Sequence, residues 1–182
     1  MRLQEKVLKR RVVYAGNYLT THLYVVRLPD GTTATRDIVR PPDAVAVVPL
    51  DDAGNIYLVR QYRPALGRVL CELPAGVIDP GESPAQTARR ECAEETGMRP
   101  KRLKKLCVVY HAAGFSTGCI HIFLARGLTA VKRPRPTAGE FVEPIRLPFR
   151  RAVRMALANR IVDAQSLIGL FWAERLLDHG AP

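Results

Sequence analysis

Residues 76–98 read GVIDPGESPAQTARRECAEETGM, and this stretch decides the fold. Pro80-Gly81 signals a turn. Ser83 is a strong helix N-cap, Pro84 suits the first helical position, and Gln86 three residues after Ser83 completes a capping-box pattern. Gly97 stands where a left-handed C-terminal cap is wanted, and Pro100 follows shortly after. The spacing therefore predicts a helix over 84–96, entered through a glycine-containing loop. Ala85, Ala88 and Cys92 form a small-residue stripe suited to close packing.

Glu91, Glu94 and Glu95 fall on that helix within little more than one turn, so at about 100° per residue they share one face. Like charges packed so closely destabilise a helix unless a cation sits among them. Hard divalent ions such as Mg²⁺ prefer carboxylate oxygens and keep waters in their other positions. The segment reads as a metal platform. A solvated acidic helix, paired with Arg89 and Arg90, would explain the clustered acids alone. It does not explain why Gly76, Glu82, Arg90 and Gly97 stand at fixed distances from them.

That spacing, G-x5-E-x7-R-E-U-x-E-E-x-G-U with U bulky and apolar, is that of the Nudix box. The fixed positions are filled by Gly76, Glu82, Arg90, Glu91, Glu94, Glu95 and Gly97, with Cys92 and Met98 at the U positions. The chain resembles the Nudix hydrolases, which use Mg²⁺ or Mn²⁺ to cleave nucleoside diphosphates linked to another group. The resemblance implies an α+β fold, an α/β/α sandwich with a mixed sheet between helices. It implies metal ligation by Glu91, Glu94, Glu95 and the backbone carbonyl of Ala75, with Glu94 and Glu95 also catalytic. Gly76, Glu82, Arg90 and Gly97 are motif positions, and Glu82 with Arg90 would brace the loop against the helix.

The flanks narrow the likeness. Tyr18 to Val39 with its LPDG turn, Gln61-Tyr62-Arg63, and Glu72-Leu73-Pro74-Ala75-Gly76 resemble the ADP-ribose pyrophosphatase subfamily. There an N-terminal antiparallel sheet is commonly exchanged within a homodimer. The expected division is therefore residues 1–41 as a β extension that dimerises and 42–182 as the catalytic domain. In that subfamily a glutamate on a late loop assists as base or further metal ligand. Glu140 occupies the matching place, with Glu143 as the fallback. Planar guanidinium forks suit a diphosphate; Arg63 is the leading candidate, and Arg36 and Arg40 come next. Around Ala113 and Gly118 the sequence departs from the subfamily, lacking its proline and its glutamate. That leaves the chemistry intact and puts the substrate in question.

Composition agrees with a compact enzyme. The 182 residues, 47% hydrophobic, suffice for one sizeable core. There is no run of 18 apolar residues, hence no expected membrane span. The opening MRLQEKVLKRR lacks an apolar h-region and does not read as a secretory signal. Cys71, Cys92, Cys107 and Cys119 show no C-x-x-C pairing and lie in or beside apolar stretches, which favours reduced thiols in a cytoplasmic protein. The formal net charge is +11, concentrated in 1–11 and 131–160. It attracts anions generally and suits a phosphorylated substrate, RNA or no specific partner.

Strand patterns are read at 11–16, 18–28, 32–39, 44–50, 56–61, 106–111 and 119–125, with a weaker one at 141–147. Two closing helices are read at 149–159 and 164–178, with Leu167, Leu170, Phe171 and Leu177 as core candidates and Trp172 as a packed residue. Ser116 with His111 or His121 does not form a nucleophilic triad, since no nucleophile-elbow pattern surrounds the serine. The leading expectation is hydrolysis of ADP-ribose to AMP and ribose 5-phosphate. Another nucleotide sugar such as GDP-mannose, or an RNA cap, is the alternative. A non-catalytic nucleic-acid-binding protein is the remote one, disfavoured by an intact box.

Overall fold

The computed structural model describes residues 3–132 and 141–179. The chain divides into two compact units, Met1–Asp43 with Tyr110–Cys119, and Ala44–Val109 with Ile120–Pro182.

In the first unit, β1 (Lys6–Ala15), β2 (Thr20–Arg27) and β3 (Thr33–Arg40) form an antiparallel sheet in the order β1-β2-β3. The β2–β3 turn is set by Asp30, whose Oδ1 accepts from Thr32 N and Thr32 Oγ1 at 2.9 and 2.7 Å. Gly31 there has φ 89°, a conformation that costs glycine little. The segment 110–119 is tied to β3 by Val39 N to Phe115 O and Thr117 N to Val39 O. Strand β1 is exposed along its whole length.

The second unit holds β4 (Ala44–Pro49), β5 (Asn55–Arg63), a 3₁₀ turn at Pro64–Leu66, β6 (Arg68–Glu72), β7 (Ala75–Val77), α1 (Pro84–Thr96) and β8 (Met98–Val109). It continues with β9 (Ile120–Ala130), β10 (Val142–Pro148), α2 (Phe149–Leu157) and α3 (Ala164–His179). One sheet runs β7-β4-β9-β8 and a second β10-β5-β6. β4 pairs parallel with β9, Ala44 opposite Ile120, and antiparallel with β7. The first sheet is mixed, as expected.

β4 is buried on both faces because a helix covers each. Val45 and Val47 pack with Ala88, Cys92, Phe123 and Ala125 on the α1 side. Ala46 and Val48 join Leu58, Ile122, Leu170 and Ala173 on the other. Such a strand reads as a continuous apolar run, and burying each valine stabilises the fold by about 1.5–3 kcal/mol. Helix α3 approaches the sheet at Gly169, where a Cβ would lie 2.6 Å from Leu73 Cδ1 and 3.1 Å from Val48 Cγ2.

Some elements differ from the sequence expectation. β8 starts at Met98 rather than near 106, because its first half carries Arg99, Lys101, Arg102, Lys104 and Lys105 on an edge strand where cations can reach solvent. β1 begins within the basic N-terminal run. In α3, Leu170 is fully buried and Leu167 partly so, but Phe171, Leu177 and Trp172 are 38%, 45% and 41% exposed. One helix face meets the sheet, and these three lie off it. No helix among the described residues is long and apolar enough to cross a membrane.

Candidate active site

Helix α1 is capped as its sequence dictates. Gln86 N donates to Ser83 Oγ and Ser83 N donates to Gln86 Oε1 at 2.8 Å, a reciprocal capping box. At the other end Gly97 adopts φ 72° and its N–H reaches Ala93 O at 3.0 Å. The buried face is Ala88, Cys92 and Ala93. Glu91 and Glu94 lie to one side of that face, with side-chain exposures of 12% and 39%.

Arg90 organises the surroundings. Its Nε lies 3.1 Å from Glu82 Oε1 and its Nη2 2.9 Å from Glu82 Oε2, with Nη2 also donating to Val77 O at 3.3 Å. Nη1 reaches Glu91 Oε1 at 2.6 Å and Glu94 Oε2 at 3.3 Å, and Asp79 Oδ2 stands 3.3 Å from Nη2. One guanidinium thus offsets part of the charge on an acidic helix face and binds the entry loop to it. The Arg90 hydrogen bonds, then that from Thr87 Oγ1, pull the Glu82 pKa down to about 2. Glu82 and its neighbours raise that of Arg90.

Glu95 is 5% exposed, and its Oε2 accepts from Ala75 N at 2.9 Å. A Cβ added at Gly76 would fall on the Glu91 carboxylate, so this position needs glycine for close approach rather than for an unusual φ. The Ala75–Gly76 backbone therefore lies directly against Glu91 and Glu95. The structure brings Glu91 and Glu94 to the same arginine nitrogen, while one oxygen of Glu95 turns to the Ala75 amide. A donor set of three carboxylates on one helix, all hard oxygen, fits a divalent ion of the Mg²⁺ or Mn²⁺ kind. Among these residues there is no soft ligand that would favour zinc or copper.

The candidate arginines have other partners. Arg63, at the end of β5, grips Glu72 with Nε at 3.0 Å from Oε1 and Nη2 at 2.5 Å from Oε2. The Glu72 side chain is 1% exposed. Arg36 Nη2 pairs with Glu5 at 2.5 Å, within the first unit. Arg40 reaches the Tyr24 hydroxyl at 3.5 Å and lines a cavity of about 700 Å³ in that unit, with Tyr18, Pro41 and Thr117. Glu140 lies outside the described residues, and Glu143, the fallback, pairs with Arg60 of β5 at 3.1 Å. Ser116 Oγ accepts from Gly118 N at 3.2 Å, a turn contact.

One cluster escaped the sequence reading. Asp163 Oδ2 accepts from Ser166 N and Ser166 Oγ, and Ser166 Oγ accepts from Leu73 N. Burial pushes the Asp163 pKa up, as does the nearby Glu72 charge, against the Ser166 hydrogen bonds and Arg63. Its signal was Asp163 immediately before a helical pattern, an N-cap with Ser166 at the third helical position.

Comparison with known proteins places this geometry. Residues 40–163 match the NUDIX domain family model. The chain is 35% identical over 165 residues to an ADP-ribose pyrophosphatase of Bacillus subtilis (strain 168), covering 90% of this chain and 89% of that protein. An ADP-ribose pyrophosphatase of Mycobacterium tuberculosis is 40% identical over 147 residues, 80% of this chain and 71% of the relative. A crystal structure described as an ADP compounds hydrolase superimposes with TM-score 0.88, covering 100% of both chains at 22% identity, a likeness of fold. A family model spanning most of the chain and relatives matched over most of their length carry one conclusion: the chain belongs to the Nudix hydrolases.

Proposed function

We propose that the protein hydrolyses ADP-ribose to AMP and ribose 5-phosphate, using Mg²⁺, with Mn²⁺ as a substitute. Water adds to one phosphorus, the P–O–P bridge breaks, and the two monophosphates leave. A divalent ion, when bound, neutralises the diphosphate and lowers the pKa of water. Glu91, Glu94 and Glu95 supply its carboxylate ligands and Ala75 its carbonyl; Glu94 and Glu95 also orient the attacking water. Arg90 and Glu82 hold the helix and entry loop in register. Arg36, Arg40 and Arg63 are the candidates for gripping the diphosphate, and Glu140 is the candidate base.

The observation that carries the reading is the Ala75–Gly76 backbone seated on Glu91 and Glu95, in a chain matched over 90% of its length by a relative named for ADP-ribose. A second reading is favoured by a relative named GDP-mannose pyrophosphatase in Yersinia enterocolitica, 32% identical over 130 residues. Purified protein incubated with Mg²⁺ and a panel of ADP-ribose, GDP-mannose, NADH and capped RNA separates the two. AMP released fastest from ADP-ribose supports the first. GMP released fastest from GDP-mannose replaces it with the second.

We also propose a homodimer built through the N-terminal sheet and a cytoplasmic location. Strand β1 is an edge strand that leaves Val7, Leu8, Val12, Val13 and Tyr14 exposed. An apolar edge of this kind is a pairing template. Four free cysteines suit a reducing compartment. A monomeric mass by light scattering at micromolar concentration would exclude the dimer.

A further inference from the structure

Between β6 and β7, three successive residues are each tied to a different element. Leu73 N donates to Ser166 Oγ on α3 at 2.8 Å. Pro74 O accepts from Val47 N on β4 at 2.9 Å. Ala75 N donates to Glu95 Oε2 on α1 at 2.9 Å. The first tether is sealed from solvent, with Ser166 0% and Leu73 1% exposed.

A hydroxyl accepts well from an amide when its own hydrogen is placed elsewhere. Asp163 takes it: Ser166 Oγ lies 2.7 Å from Asp163 Oδ2, and Ser166 N donates to the same oxygen at 3.0 Å. The donors then run one way, from Leu73 N–H to the Ser166 hydroxyl to the Asp163 carboxylate. Capping α3 needs only Asp163 and the Ser166 amide. The hydroxyl adds nothing to the cap that the amide does not already give. Its further contact is with Leu73, two residues before the backbone that rests on Glu95. Gly169, one turn along, lets α3 lie close enough for this reach, since a Cβ there would strike Leu73 Cδ1.

We propose that Ser166, oriented by Asp163, is a positioning residue for the divalent-ion site. It fixes the Leu73–Ala75 segment so that the Ala75 amide stays on Glu95 and Gly76 stays against Glu91. This rests on the proposed ion platform of those residues. Groups that orient a metal's ligands typically contribute ~10–100-fold to its affinity.

The test is Mn²⁺ titration of metal-stripped protein by electron paramagnetic resonance, on wild type, Ser166→Ala and Glu95→Gln. It is run where circular dichroism shows each folded. Ser166→Ala is expected to raise the Mn²⁺ Kd by about tenfold or more. Activity at saturating Mn²⁺ should fall far less than affinity, and hydrogen exchange at the Leu73 amide should accelerate. A purely structural serine would lower Tm and leave the Kd of the folded protein unchanged. A wild-type Kd in Ser166→Ala, with Glu95→Gln impaired, overturns the tether and leaves the platform standing. A wild-type Kd in Glu95→Gln overturns the platform and the tether with it. Should Ser166→Ala not fold, Ser166→Cys keeps the volume with a weaker acceptor, and a wild-type Kd there is equally fatal.

Discussion

Arg90 and Glu82 are joined through two parallel hydrogen bonds, Nε to Oε1 at 3.1 Å and Nη2 to Oε2 at 2.9 Å, across the loop that enters α1. The pair lowers the Glu82 pKa from 4.5 to about 2. A depressed folded-state pKa contributes stability that is fully present above pH 4.5 and lost as pH falls through about 2. Glu82→Gln should flatten the dependence of Tm on pH within that window. Equal slopes for variant and wild type would detach Glu82 from acid stability.

Replacing Glu91, Glu94 or Glu95 by glutamine keeps shape and removes charge. Each should cost roughly 100-fold or more in kcat/KM if it ligates the ion. Tm should change little, because the acids left behind repel one another less and, in Glu95→Gln, the new amide oxygen can still accept from Ala75 N. A variant with wild-type turnover would be removed from the ion site.

Gly76→Ala should be as damaging as losing a ligand. The new methyl meets the Glu91 carboxylate, and that side chain must swing out of its place beside the Ala75–Gly76 backbone. The expected reading is a rise in the Mn²⁺ Kd of about tenfold or more. Unchanged binding would mean that the loop yields without disturbing the carboxylates.

Arg63→Ala leaves the buried carboxylate of Glu72 without its partner. Breaking a buried pair costs about 3–5 kcal/mol, but Arg63 is 39% exposed, so roughly 2–3 kcal/mol is the expectation. KM for ADP-ribose on the same variant tests the other role. A rise of about tenfold beyond the stability loss, or ~1.4 kcal/mol of binding, would assign the free end of the fork to substrate.

Thiol chemistry should follow burial. Cys92 is pushed up to about 12 by its surroundings, and burial raises Cys71 and Cys107 as well. Since the thiolate is the reactive form, Cys92 should resist an aromatic disulfide reagent until the protein is unfolded. Prompt labelling of Cys92 in native protein would show that α1 opens readily.

Helix α1 was legible to the residue because its caps, Ser83 and Gly97, are local chemistry. The carboxylate face and the Arg90–Glu82 brace followed from spacing on one helix and its entry loop. β8 was half hidden, since closely spaced cations on an edge strand mimic a solvated loop. The Arg63–Glu72 and Asp163–Ser166–Leu73 contacts were not legible. They depend on residue types that are ordinary at the surface, and only the packing of α3 and the sheets makes them buried. Trp172, Phe171 and Leu177 misled in the opposite sense, because apolar residues spread around a helix do not all reach one neighbour.

The parallel pairing of β4 with β9 closes a long stretch of chain, Ala44 to Ile120, and α1 with its entry loop lies inside that closure. Non-local strand pairings form slowly because the loop entropy is lost before the contacts return it. The Leu73–Ala75 segment is tied to β4, α1 and α3, elements far apart along the chain. The caps of α1 are local, whereas the contacts that hold Leu73–Ala75 are all long-range. The placement of Leu73–Ala75 against Glu95 is therefore a property of the assembled tertiary structure rather than of helix content.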